Sequence, residues 1–297
     1  MDKRLSLDYM GAISEFDRVL RKFNLKKKLF KLLFRGRGLE FEQFRDFDND
    51  EDANSIDWPA SLRANKFLVR QYIEETDINF YFVVDSSSRM LFGSGKKLKA
   101  EYAAEIILSL SNLVMSNQDR ASLVMFNKGV IDYIPSKNFR NQLFSMQESV
   151  SNVSFYGGEA DFEKVIEFLL QLIKGPNNMV IFISDFLGSS NSLKEQFRLL
   201  RARCEVIALA VRDPLDLELP LLNGSLVLSS SRNSQTMVVD TSVARAAYKN
   251  FTEKQRQSIK AIFYESDIDF LELSTKDEFV MPIMKFIQER QGGSQND

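Results

Sequence analysis

The 297-residue chain contains no histidine, which removes His-dependent triads, imidazole bases and the commonest zinc and iron ligands together. Catalysis would have to rest on carboxylates, lysines or hydroxyls. Cys204 is the single cysteine and makes no intrachain disulfide. No apolar run of about 18 residues or more exists to cross a bilayer. The opening residues MDKRLSLD lack the apolar core and cleavage site of a secretory signal, so the expected location is cytoplasmic. A net charge of −2 and a pI near 5.6 give no overall electrostatic footprint for nucleic acid, which is not an expected partner.

Several nucleotide and phosphate motifs are missing as well. No G-x-G-x-x-G follows the first predicted strand. Gly93-Ser94-Gly95-Lys96-Lys97 fails as a phosphate loop, because Met90 stands where glycine is needed and Lys97 where Ser or Thr is needed. A dehalogenase-like phosphatase would need a second aspartate where Ser87 stands.

What is present is an ordinary globular composition, 44% hydrophobic and 27% charged. Charge is segregated along it. Residues 18–37 hold nine charged side chains, all basic, while residues 40–57 hold eight acids against the single Arg45. Ile13, Phe16, Leu20 and Phe23 fall at helical spacing within or beside the basic stretch. Such a helix can lie on an anionic membrane surface, but packing on its own domain with a solvated basic face is the expected arrangement. The predicted organisation is an N-terminal helical and acidic extension at 1–75, one domain at 76–291 and a tail at 292–297.

From residue 76 the pattern alternates between strands and helices. INFYFVV at 78–84 reads as a strand buried on both faces. Helical spacing follows at 97–116, then two strands at 121–126 and 130–134 around Asn127-Lys128-Gly129. The i, i+3, i+4 spacing of Phe162, Val165, Ile166, Leu169, Leu170 and Ile173 predicts a helix stopped by Gly175-Pro176, with a strand at 179–184 after it. Ser192 and Glu195 form a capping-box pattern for a helix to about 203, followed by a strand at 205–211. A ribbon at 225–228 and 236–239, a helix at 241–265, a strand at 269–273 and a helix to about 290 complete the chain. The fold class is therefore α/β, a doubly wound and mainly parallel sheet with helices on both faces.

In such sheets ligands bind beyond the carboxyl ends of strands. Asp85, Ser87 and Arg89 follow the first strand, Asp185 follows the strand at 179–184, and Glu159 lies in the Gly157-Gly158 loop. Carboxylates and a hydroxyl so placed suit a hard cation such as Mg²⁺. As structural residues, Asp85 and Asp185 would simply cap the helices that follow.

The sequence resembles the MoxR-associated von Willebrand factor A-like proteins, a family catalogued as a domain of unknown function. The resemblance is carried by FEQFRDF at 41–47, Asp50-Glu51-Asp52, Ser55-Ile56-Asp57-Trp58, Ser61-Leu62-Arg63, Val211-Arg212-Asp213-Pro214 and Val239-Asp240-Thr241. It implies a von Willebrand A-like domain with a metal-ion-dependent adhesion site, working beside a MoxR-type AAA+ ATPase. Asp85, Ser87 and Asp185 match the family's site. Arg89 stands in place of its last serine and Glu159 in place of its loop threonine. The site is therefore expected to be degenerate, with Asp85, Ser87, Arg89, Glu159 and Asp185 facing a protein partner. No cofactor is required and Mg²⁺ remains an option. In the extension, Arg45, Asp46, Asp57 and Arg63 are expected to pair around Trp58 as an apolar anchor. The competing function is a metal-dependent hydrolase with Asp85, Glu159 and Asp185 as ligands.

With no histidine and no nucleophile-base pair, the purified protein is expected to show no phosphatase or peptidase turnover. Reproducible turnover abolished by Asp85→Ala would favour the hydrolase instead.

Overall fold

A central strand flanked on both sides organises the molecule. The computed structural model describes residues 4–22, 43–46, 58–64, 66–71, 78–136, 139–175, 177–188, 193–220, 225–229 and 236–292. The first strand of the main sheet, β3 (Asn79–Asp85), pairs in parallel with β4 (Arg120–Phe126) on one side and β6 (Asn178–Ser184) on the other. β5 (Val130–Ile134) returns antiparallel to β4, and β7 (Glu205–Arg212) and β10 (Asp269–Ser274) extend the other half in parallel. The order is β10-β7-β6-β3-β4-β5. Chain order thus reverses between β3 and β6, and a crevice forms where two neighbouring strands send their chains in opposite directions.

Alternation along the strands divides the core. Phe80, Phe82 and Val84 face one layer with Ile181, Ile183, Leu209 and Val211, against α1 (Tyr9–Lys22), α3 (Lys99–Ser116), α4 (Phe139–Ser151) and α9 (Val280–Gly292). Val83, Val180, Phe182, Ala208 and Ala210 face the other, against α5 (Phe162–Leu172), α6 (Leu193–Arg201) and α8 (Thr241–Glu265). The second layer is aromatic. Phe162, Phe182, Phe186, Phe197 and Phe263 are all buried, with Phe186 and Phe263 edge-on at 4.8 Å. These phenylalanines are core rather than a ligand pocket. Cys204, just before β7, is buried among them, and burial pushes its thiol up to about 12.

The predicted helices and strands from 78 onward are present. Pro282 sits in the first turn of α9, where its missing N–H costs no helical bond. The structure adds elements that periodicity did not reveal: α2 (Trp58–Ala64), the antiparallel pair β1 (Gln43–Asp46) and β2 (Leu68–Gln71), the short α7 (Pro214–Leu217), and α4 itself. The predicted ribbon is β8 (Ser225–Ser229) with β9 (Thr236–Asp240). Trp58 is 56% exposed with its ring edge-on to Phe67, so it does not act as a buried anchor. The basic stretch from 23 to 37, the acidic residues 47–57, Ser192 and the tail from 293 lie outside the described residues. So do the side chains of Arg45 and Asp46, and with them the expected ion-pair cluster. Among the described residues no helix is long and apolar enough to cross a membrane.

α1 lies on the domain through Phe16 and Leu20, which are 1% and 0% exposed. The Phe16 ring is 6.3 Å from that of Phe279, which precedes α9. Phe16→Ala should therefore lower unfolding free energy by about 3–5 kcal/mol in a urea titration. A loss below about 1 kcal/mol would mean that α1 is not part of the folded core.

Candidate functional site

Asp85 ends β3 and Asp185 directly follows β6, the two strands that flank the reversal, and both are fully buried. Each carboxylate is held by its own turn. Asp85 Oδ1 accepts the Ser87 backbone N–H at 2.7 Å, and Oδ2 accepts the Ser184 hydroxyl at 2.6 Å. Asp185 Oδ1 accepts the Leu187 backbone N–H at 2.9 Å. The Ser184 hydroxyl also accepts the Phe186 N–H, which links the two strand ends into one hydrogen-bonded unit.

The charge facing Asp185 comes from the protein. Lys99, the first residue of α3, is 1% exposed and places its ammonium 2.9 Å from Asp185 Oδ2 and 3.0 Å from Asp216 Oδ2. Arg89 lies on the opposite flank, with Nε 3.5 Å from Asp185 Oδ1. Its guanidinium rests against Gly188, where an added Cβ would come within 3.4 Å of it; that glycine has φ +91°. Any other residue there would be strained and would crowd Arg89. Arg212 is 2% exposed and donates from Nη1 to the Asp185 backbone carbonyl.

These neighbours set the protonation states. Burial pushes Asp185 up, yet Lys99 and Arg89 outweigh it and hold the carboxyl below the ordinary 3.8. Burial opposes the charge on Lys99, yet Asp185 and Asp216 outweigh that and raise its ammonium above 10.5. Asp85 goes the other way. Burial and the charge of Asp185 raise its carboxyl, against the bonds from Ser184 and Ser87. The two aspartates are thus driven apart, with Asp185 the firmly ionised one.

The loops around the pair are closely tied. Ser88 donates its N–H and hydroxyl to Gly158 O at 3.0 and 2.9 Å, and Gly157 N–H donates to Ser86 O at 2.8 Å. Glu159, next along, is exposed and lines an open cavity of about 420 Å³ with Lys128, Asp161, Lys164, Gly188 and Leu193. Past β7, the buried Asp213 carboxylate accepts the Ser94 N–H at 2.8 Å, the Ser94 hydroxyl at 2.6 Å and the Leu215 N–H at 2.9 Å. The resemblance block Val211-Arg212-Asp213-Pro214 therefore seals the loop that leads into Lys99.

Of the predicted residues, the structure brings together Asp85, Ser87, Arg89 and Asp185 and leaves Glu159 on the exposed lip. Ser87 is buried, and among the described residues its hydroxyl has no aligned hydrogen-bond partner. Lys99, Asp216 and Arg212 belong to the cluster and were not anticipated. A divalent cation needs several oxygen donors turned toward one point. Here an ammonium already faces Asp185 Oδ2, Arg89 supplies only donors, and among the described residues no three Asp, Glu or Cys side chains gather as a metal set. The side chains present do not fit a bound divalent cation.

Fold and site together define a doubly wound, mainly parallel α/β domain with a buried ion-pair cluster at its topological switch point. The chain belongs to the family described as "Protein of unknown function DUF58", whose model matches residues 43–258. An uncharacterised protein of Mycobacterium tuberculosis is 25% identical over 267 residues, covering 88% of this chain and 83% of that one. An uncharacterised Mycobacterium avium protein is 29% identical over 118 residues, 39% of this chain and 68% of its own. Among solved structures, the conserved hypothetical protein BatB from Bacteroides thetaiotaomicron is similar in fold. It has a TM-score of 0.50 at 15% identity and covers 72% of this chain and 99% of that one. No catalytic family is indicated.

Lys99→Met should cost about 3–5 kcal/mol, because Asp185 stays buried without its nearest cation. Adding Asp185→Leu should recover much of it. A carboxyl lowered in the fold contributes stability that is present above its unfolded value and lost as pH falls through the folded one. The stability gap between wild type and Asp185→Asn should therefore close only below pH 3.8. Closure near pH 6 in urea titrations would contradict this assignment.

Proposed function

We propose that the protein is a non-catalytic interaction module whose adhesion-type site is degenerate, with Lys99 and Arg89 in the place of a metal ion. Its partner, on the family resemblance, is a MoxR-type AAA+ ATPase, for which it serves as an adaptor in assembly or remodelling. The observation that carries this reading is the Lys99 ammonium 2.9 Å from the Asp185 carboxylate, both side chains being buried. A site that needs no ion is set by its own side chains before a partner arrives. The partner-facing edge is then Arg89, with its 20% exposed side chain, and the lip that carries Glu159.

The hydrolase alternative has less support. It would need a metal held by Asp85, Glu159 and Asp185, and Glu159 is exposed while the aspartates are buried.

The test is capture of a purified MoxR-type ATPase on the immobilised full-length protein, nucleotide-free, with and without EDTA. Binding should be the same in both and should weaken at least about fivefold, roughly 1 kcal/mol, on Arg89→Ala. Binding abolished by EDTA and restored by Mg²⁺ would overturn the metal-independent site, and no binding in either condition would overturn the ATPase partnership.

A further inference from the structure

Two buried carboxylates on consecutive turns of α3 hold the loop that leads into Lys99, and the first of them also holds the N-terminal segment. Glu101 Oε2 accepts the Leu98 backbone N–H at 2.9 Å, the bond expected of an acid in a first helical turn. Its Oε1 accepts the Ser6 backbone N–H at 3.0 Å, from a residue 95 positions away. Glu105 Oε2 accepts the Lys97 ammonium at 2.5 Å, which ties the loop to the next turn of the helix. Glu101 and Glu105 are 9% and 1% exposed, so these partners are their solvation.

Both ends of this link are anchored. On one side Leu5 N–H donates to Ser151 O at 2.8 Å, Arg4 bridges Asn152, and α1 is seated by Phe16 and Leu20. On the other side the loop 92–98 closes tightly. A Cβ on Gly93 would meet Lys97 O at 2.5 Å, Lys99 N–H donates to Phe92 O at 2.9 Å, and Ser94 is bound to Asp213. Lys99 follows Leu98 directly, so its approach to Asp185 depends on where this loop is held.

The geometry points to a clamp: the N-terminal segment, through Glu101, holds the loop 92–98, which Glu105 ties from the next turn of α3, and so keeps the Lys99 ammonium on Asp185. Withdrawal of the segment opens the site. Glu101 and Glu105 are positioning residues in this arrangement, since neither touches Asp185. Docking of the segment and the state of the site are then two ends of one equilibrium, and whatever draws residues 4–8 away loosens the strand-end ion pair. The inference rests on Lys99 as the internal cation, but it concerns only what keeps that cation in place.

The test follows Lys99 itself in the full chain, by amine acylation read residue by residue in a mass spectrometer, with Cys204 alkylation as the monitor of global unfolding. Ser6→Pro removes the N–H that the N-terminal segment donates to Glu101 Oε1, together with an exposed hydroxyl. Lys97→Met cuts the Glu105 link from the loop side. In both variants Lys99 should be acylated at least about tenfold faster than in wild type while Cys204 stays protected. Unchanged Lys99 labelling in either variant, or Lys99 and Cys204 rising together, would overturn the clamp. Partner capture does not enter this measurement, so its failure would leave the docking proposal standing.

Discussion

The buried pair of Lys99 and Asp185 is the constraint on which the strand-end region depends. A carboxylate and an ammonium both removed from water are tolerable only with close geometry and further hydrogen bonds. Asp185 has these from Leu187 N–H and Lys99, and Lys99 has a second carboxylate in Asp216. Asp216 in turn accepts the Asp213 N–H, and Asp213 holds Ser94 in the loop before Lys99. The network closes on itself across the ends of β6 and β7, α7 and the start of α3. Removing Lys99 or Asp185 takes from the other its nearest buried counter-charge, which makes the cluster a specifier of geometry more than a source of net stability.

Its position follows from topology rather than local sequence. Chain order reverses between β3 and β6, so the loops after these strands diverge and leave their carboxyl ends open to each other. In a site built for a metal, an ion would occupy this opening. Here the helix that follows β3 starts with a lysine on its inward face, and the opening is filled by a side chain of the fold. A first helical turn disfavours positive charge, because its free N–H groups already carry partial positive charge. Lys99 at that position is maintained by Asp185 and Asp216, not by its helix.

Much of this was legible beforehand, and the gaps have physical causes. The buried strands from 78 to 212 were readable because each is a nearly continuous apolar run, and the aspartates stood where parallel strands end. α4 was hidden because one position of its inward stripe is polar. Gln142 sits with Met146 and Val150, and its amide donates to Ala121 O and Pro135 O, while Phe144 on the same helix is 59% exposed. Lys99 was not legible from the strand ends, because it opens the helix that follows β3 and does not stand directly after a strand. A signal did exist: Lys99 falls one helical turn before Ala103 and two before Ile106 and Ile107, so it lies on an apolar stripe where a lysine needs a buried partner. Glu159 was placed in the site by its loop, and exposure of the lip was not readable from spacing.

We propose that the Lys99 ammonium, and not a metal ion, neutralises Asp185 at the strand ends. The most direct measurement is a crystal structure of the full chain grown in millimolar Mn²⁺, with data collected to reveal anomalous scattering. The account predicts no manganese peak between Asp85 and Asp185, and the Lys99 nitrogen within hydrogen-bond distance of Asp185. A manganese ion ligated by the two aspartates, with Lys99 turned away, would contradict it.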